Sequence, residues 1–180
     1  QDKIIDSKTG HFNLFFDNQW KEESKTISFG HDIEGAWLLH EAAEVIDEKS
    51  LLKRVQKTAL RLVDITILKG LDTDGTLLYE EKNNILYKDK HWWVQAEAMV
   101  GLMDAYQITK KPYYIDHLTP IWNFIKQNLI DKENGEWFWR VCEKNKPALS
   151  EYKIGFWKCP YHNSRALMEL IKRIESLNIK

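Results

Sequence analysis

Cysteine is almost absent from this 180-residue chain. Cys142 and Cys159 are too few for a disulfide framework and lack the C-x-x-C spacing of a metal pair. A reduced setting, the cytoplasm, is therefore expected. An excess of charge of either sign is lacking too. With 26 basic and 27 acidic residues the formal net charge is −1, which leaves no electrostatic footprint for nucleic acid or an anionic membrane. No apolar run approaches the ~20 residues that span a bilayer, and no secretory leader is read at the amino end. A glycine-rich phosphate cradle and an H-E-x-x-H pair are also missing, which weighs against nucleotide chemistry and against a metal site.

Aromatic residues are what the chain has in quantity: 8 Trp, 7 Tyr and 7 Phe. Leu and Ile fill most of an ordinary core, so some of these indoles are expected to serve another purpose. A flat apolar face with a polar N–H suits the C–H faces of a pyranose ring. The length is sufficient for one domain with a real core.

Helical periodicity dominates. Apolar residues at Ile33, Trp37, Leu38, Ala42 and Val45 predict a helix over 31–47, and those from Leu52 to Ile67 predict another over 50–69, stopped by Gly70. A third, over 91–108, is apolar on more than one face and is expected to be deeply buried. Pro112 opens a fourth, running to about Leu129, and Pro160 a fifth, running to about Leu177. Only Thr109-Lys110-Lys111 separates the third helix from the fourth, which reads as an αα-hairpin.

The longer connections repeat a signature. Asp6 to Gly10, Asp72 to Gly75 and Asp131 to Gly135 are each followed by apolar residues, and the glycines stand 65 and 60 residues apart. Each glycine is expected to turn a corner at positive φ and to lead into a short strand. Helix pairs at this period suggest a toroid of α-hairpins whose inner helices ring a pocket. Six such pairs need twelve helices and this chain holds about five, so the expected fold is all-α, about half of an (α/α)6 barrel with short β-hairpin excursions. Residues 1–180 would form one part of a single domain; a complete two-pair bundle with decorated loops is the alternative.

Chemistry-bearing residues gather at helix starts. His31 sits at the first turn of the first helix with Glu34 one turn on. A helix N-terminus disfavours imidazolium and so suits a His that accepts a proton; taken alone, His31 also serves simply as a cap, with Asp32 and Glu34 complementing the helix dipole. His162, after Pro160, repeats the placement, with Asn163 and Arg165 nearby and Trp157 five residues before. Trp92, Trp93, Gln95 and Glu97 form a third group, in which a carboxylate within an apolar helix needs a partner such as a sugar hydroxyl, an Arg or a His. His11, His40, His91 and His117 lack such placement and read as surface or structural. Trp37 and Trp122 read as core, Trp137 and Trp139 as alternating residues with one side available to a ligand, and Cys159 as packing rather than as a nucleophile.

The segments FGHDIEGAWLLHEAAEV, HWWVQAEAMVGLMDAYQIT, DKENGEWFWRV and GFWKCPYHNSRALMEL closely resemble the cellobiose 2-epimerase (mannobiose 2-epimerase) family, within the wider N-acylglucosamine 2-epimerase superfamily. The likeness covers most of residues 10–175 and corresponds to the carboxy-terminal half of a member. It implies an (α/α)6 barrel, no cofactor, and reversible inversion at C2 of the reducing-end sugar of a β-1,4-linked disaccharide. It further implies that His31 and His162 are acid/base groups on opposite sides of the reacting carbon. Glu34 would orient one of them, Trp92 or Trp93 and Trp157 would stack on sugar rings, and Glu97 would support the site. An Arg and a further His would lie in the missing amino-terminal half, the expected partner of this chain. N-acylglucosamine 2-epimerisation, a glycoside hydrolase using Glu34 with Glu97, and a non-catalytic carbohydrate-binding module remain as alternatives.

Overall fold

In a computed structural model, residues 3–23, 25–142 and 145–178 are described. Five helices carry the architecture: α1 (Phe29–Ile46), α2 (Lys49–Gly70), α3 (Trp92–Thr109), α4 (Tyr113–Phe124) and α5 (Tyr161–Asn178). The fourth is prolonged by a π-turn over Ile125–Leu129, closed by the Ile130 N–H on the Ile125 carbonyl. Helix α3 lies between α1 and α5, while α2 covers α1 and α4 covers α3. That central position explains its composition: residues 94–105 are all buried, so no polar stripe is left for a helical period to show. Phe29, Ile33, Trp37, Met99, Leu102, Ile121 and Leu129 fill the core between these layers.

Helix α1 starts two residues earlier than the periodicity predicts, because Ser28 is its N-cap, extended at φ −108° and ψ 107°, with Oγ accepting the His31 N–H. His31 is thus in the first turn, with its ring near the cap. The α3–α4 hairpin turns on Lys110 in the left-handed region (φ 58°), and Pro112 precedes α4 as expected.

The three-fold repeat in the connections is a structural one. Gly10, Gly75 and Gly135 all have positive φ (85°, 80° and 72°), and each donates its N–H to the carbonyl of the Asp that begins its turn. A single antiparallel bridge closes each turn: Ile5 with Phe12, Leu71 with Leu77, and Ile130 with Trp137. A residue one or two places after each corner is then tied to the helix that follows the excursion. His11 and the Phe12 N–H bond Asp32 of α1, the Leu77 N–H bonds Gln95 of α3, and Glu136 bonds Asn163 of α5.

The strands differ from expectation. The segments directly after the glycines make only those bridges; regular pairing comes farther along and joins successive excursions. β1 (Thr26–Ser28), β2 (Glu80–Lys82) and β3 (Ile85–Tyr87) form one antiparallel sheet in that order, and β4 (Lys90–His91), β5 (Arg140–Cys142) and β6 (Lys146–Pro147) form the other. The fold is mostly helical with two small sheets rather than all-α with isolated hairpins. The sheets matter because β1 runs into α1 and β4 into α3, which fixes where both helices begin. No helix among the described residues is long and apolar enough to cross a membrane.

Candidate active site

At the amino-terminal ends of α1, α3 and α5 a cleft of about 420 Å³ is lined by His31, Glu34, Tyr79, His91, Trp92, Trp93, Trp139, Trp157 and His162. Six of the seven residues expected from the sequence are in that wall, and the seventh, Glu97, lies beneath it.

Trp93 is the centre of the arrangement. Its ring centroid is 4.9 Å from that of His31 and 5.6 Å from that of His162, so the two histidines share one indole. Gly30 makes this possible: a Cβ there would stand 2.4 Å from the Trp93 ring. The glycine in Gly30-His31-Asp32 is a seat for an aromatic on the neighbouring helix.

Each histidine is held by the same nitrogen. His31 Nδ1 is 2.7 Å from Ser28 Oγ, and His162 Nδ1 donates to Glu97 Oε1 at 2.6 Å. Neither Nε2 has a hydrogen-bond partner among the described residues. Holding one ring nitrogen sets the orientation of each ring, and for His162 the carboxylate also sets the tautomer, leaving Nε2 free to exchange a proton. His31 is exposed and His162 half-buried, so both reach the cleft.

Glu97 is fully buried, a position that costs several kcal/mol for an unpaired carboxylate. Three donors offset the cost: Trp37 Nε1 at 3.0 Å, Arg165 at 2.5 Å, and His162. Arg165 also bonds Glu34 at 2.6 Å and lies over the rings of Trp37 and Tyr161. Burial alone would lower the guanidinium pKa, but its bonds to Glu97 and Glu34 raise it above the ordinary value, so the cation is secure. The donor atoms of Glu34, Glu97 and His162 lie within 4.8 Å of one another; the Arg165 guanidinium already supplies the positive charge of that cluster.

This geometry corrects one expectation. Glu34 was expected to orient a histidine, yet its nearest approach, to His162 Nδ1, is 3.9 Å, beyond a hydrogen bond. Glu97 takes that place and Glu34 holds Arg165. Trp37, read as core, is core and also braces Glu97. The aromatic wall divides likewise: Trp92 is buried against Trp139 and beneath the Lys158 ammonium, whereas Trp157 is 80% exposed on the loop before α5. Trp137 packs in the core while Trp139 reaches the cleft, so the alternation did separate two sides. Cys159, read as packing, is exposed and free. His91, read as surface or structural, lines the cleft, and Tyr79 escaped notice, because a stacked pair within one irregular connection leaves no periodic signal.

Residues 2–166 match the sequence pattern of the N-acylglucosamine 2-epimerase family. The chain belongs to that family. A cellobiose 2-epimerase of Dictyoglomus turgidum is 41% identical over 175 residues, covering 97% of this chain and 44% of the relative. One from Bacteroides fragilis is 39% identical, covering 94% and 44%. The structure of cellobiose 2-epimerase from Bacillus thermoamylovorans B4167 superposes with a TM-score of 0.90 at 34% identity, over 96% of this chain and 44% of that one. The chain thus spans less than half the length of these members of the N-acylglucosamine 2-epimerase family, and the cleft described above lies wholly within the matched part.

Proposed function

We propose that this chain is the carboxy-terminal half of an (α/α)6-barrel sugar 2-epimerase, and that it supplies both acid/base groups for inversion at C2 of the reducing-end sugar of a β-1,4-linked disaccharide such as cellobiose. The observation that carries the reading is the pair His31 and His162, each held through Nδ1, with both rings against Trp93. The cellobiose 2-epimerase names of the relatives support the substrate class. The succession of inner helices α1, α3 and α5 with outer α2 and α4, joined by three equivalent turns, supports the half-barrel.

The chemistry follows from the groups present. Ring opening exposes an aldehyde and makes the C2 proton removable. The neutral imidazole on one side takes that proton on Nε2, and the electron pair of the C–H bond passes into the enediolate. The other histidine, as imidazolium, returns a proton to the opposite face. Two bases that titrate near neutrality suit this exchange, and no cofactor is required by its balance. Trp93 and Trp157 offer faces for the sugar rings. Support for the enediolate oxygens would come from the Arg and His of the amino-terminal half, which also makes this half inactive on its own. A hydrolase reading fits less well, because Glu34 and Glu97 are joined through one Arg and Glu97 has no exposed surface.

The test is proton NMR of cellobiose and mannobiose in D2O, with this chain combined with the amino-terminal portion of the Dictyoglomus turgidum relative. Deuterium entering C2, and lost in His31→Ala or His162→Ala, is the expected result. Cleavage of the glycosidic bond would favour the hydrolase instead, and binding without exchange a carbohydrate-binding module.

A further inference from the structure

His91 is the last residue of β4 and directly precedes α3. It is nine-tenths buried and forms part of the cleft wall. Its ring stacks face to face on Tyr79, with centroids 3.8 Å apart and planes 14° apart. Tyr79 in turn stands edge-on to Trp93. The ring is therefore clamped in one orientation beside the indole that the two acid/base histidines share.

One feature separates it from its neighbours. His11, His31, His40 and His162 all have Nδ1 in a hydrogen bond, whereas neither ring nitrogen of His91 has a hydrogen-bond partner among the described residues. Neither nitrogen is among the fully enclosed side-chain atoms that lack a partner, so both stay open to a molecule seated in the cleft. Burial, with the Arg140 charge as a second cause, pushes the His91 pKa down to about 3. The ring is thus neutral at working pH and carries one N–H donor and one bare acceptor. A sugar hydroxyl, both donor and acceptor, complements that pair; a proton-transfer role is not open to it.

We propose that His91 is a sugar-binding residue of this cleft: its imidazole, braced by Tyr79, hydrogen-bonds a hydroxyl of the pyranose seated beside Trp93 and contributes to sugar selectivity without joining the proton transfer. The proposal rests on the epimerase reading of the cleft, and its test separates the two. His91→Phe keeps a ring to stack on Tyr79 but removes both nitrogens; His91→Asn and His91→Gln each restore an amide near one nitrogen.

With the chain combined with its amino-terminal portion, tryptophan fluorescence gives the Kd for cellobiose, and C2 deuterium exchange gives kcat and KM. His91→Phe is expected to weaken cellobiose binding about tenfold, the worth of one neutral hydrogen bond. The expectation also includes kcat within about twofold of wild type, an unchanged pH profile of kcat, and recovery of most of the affinity in one of the amide variants. Wild-type affinity in His91→Phe would overturn the proposal, as would weakened binding that neither amide rescues, since that marks a packing role. Absence of C2 exchange in the wild-type protein would instead overturn the epimerase reading, whatever the affinities.

Discussion

Glu97 Oε1 accepts from His162 Nδ1 at 2.6 Å across the gap between α3 and α5, while Oε2 of the same carboxylate accepts from Trp37 of α1 at 3.0 Å. One buried side chain therefore sets the position of a cleft histidine relative to both neighbouring helices. Replacing it with Gln keeps the shape but removes the charge that balances Arg165 and fixes the His162 tautomer. Glu97→Gln is expected to lower kcat on the order of 10²-fold, the lower end of what a positioned acid/base group contributes, with little change in KM. Glu97→Ala adds a folding defect of about 3–5 kcal/mol, because Arg165 is left without one of its two carboxylates. Steady-state kinetics of the two variants combined with an amino-terminal portion, and urea unfolding, check this. Equal kcat in Glu97→Gln would mean that the bond to His162 is not what orients it.

Gly30→Ala tests the seat of Trp93. In an ordinary helix the change stabilises by up to ~1 kcal/mol. Here the new Cβ meets the indole at 2.4 Å, and forcing atoms into a packed site costs about 1–3 kcal/mol. The clash wins on these magnitudes, so the melting temperature is expected to fall. Trp93 would be driven off both histidines as well, so, on the epimerase reading, C2 exchange with an amino-terminal portion present should fall too. A higher melting temperature with full activity would show that the indole is free to move aside.

Much of this was legible in the sequence. The helices follow from apolar spacing, and their ends from Gly70, Pro112 and Pro160, because those signals are local. His31, Glu34, Trp92, Trp93, Glu97, Trp157 and His162 were legible as a group because each stands in the first two turns of a helix or just before one. What the sequence did not disclose is every contact that no local period encodes: His11 with Asp32, Trp37 with Glu97 sixty residues on, and the stack of His91 on Tyr79. Asp32 shows why. By spacing it is an acidic residue complementing a helix N-terminus, but in the fold it is buried, its pKa raised by that burial against the opposing bonds from His11 and Phe12. The strands were misplaced for a similar reason, since their partners come from neighbouring excursions.

Acid stability is expected to depend on His91. Its folded pKa, about 3, lies below the ordinary 6.5, so between those values the unfolded chain binds more protons than the folded one. Stability must then decline as pH falls through that window, by up to about 1.4 kcal/mol per pH unit from this group. His91→Phe removes the group, and the gap in melting temperature between variant and wild type is expected to move in favour of the variant from pH 6.5 down to pH 4. A constant gap would mean that His91 titrates normally in the folded protein.

His40 predicts the opposite sign in a separate window. Burial acts to lower its pKa, but the hydrogen bond and charge of Asp104, aided by Glu44, outweigh burial and the opposing Arg173, leaving the folded value raised. Its contribution is complete below pH 6.5 and is lost as pH rises through the folded value. His40 bridges Asp104 of α3 and Gln56 of α2, while Arg173 of α5 bonds the same Asp104 and Glu41. Thermal melts from pH 6 to pH 9 are expected to show a decline in wild type that His40→Gln lacks. Parallel curves would assign the decline elsewhere.

The exposed face of α5 bears on the half-barrel. Met168, Ile171 and Ile174 recur at three-residue spacing and are 64%, 58% and 45% exposed, and Phe156 and Leu149 on the preceding loop are exposed as well. A soluble monomer rarely leaves a connected apolar patch of more than a few hundred Å² open. If an amino-terminal half covers this face, the chain alone is expected to self-associate, and adding that half as a separate polypeptide should convert it to a one-to-one complex. Met168→Lys with Ile171→Glu should suppress self-association and also weaken capture of the partner, because both draw on the same surface. Sedimentation velocity reads all three states. A monomeric chain that ignores the amino-terminal portion would remove the half-barrel from consideration, and with it the argument that the cleft needs groups from outside these residues.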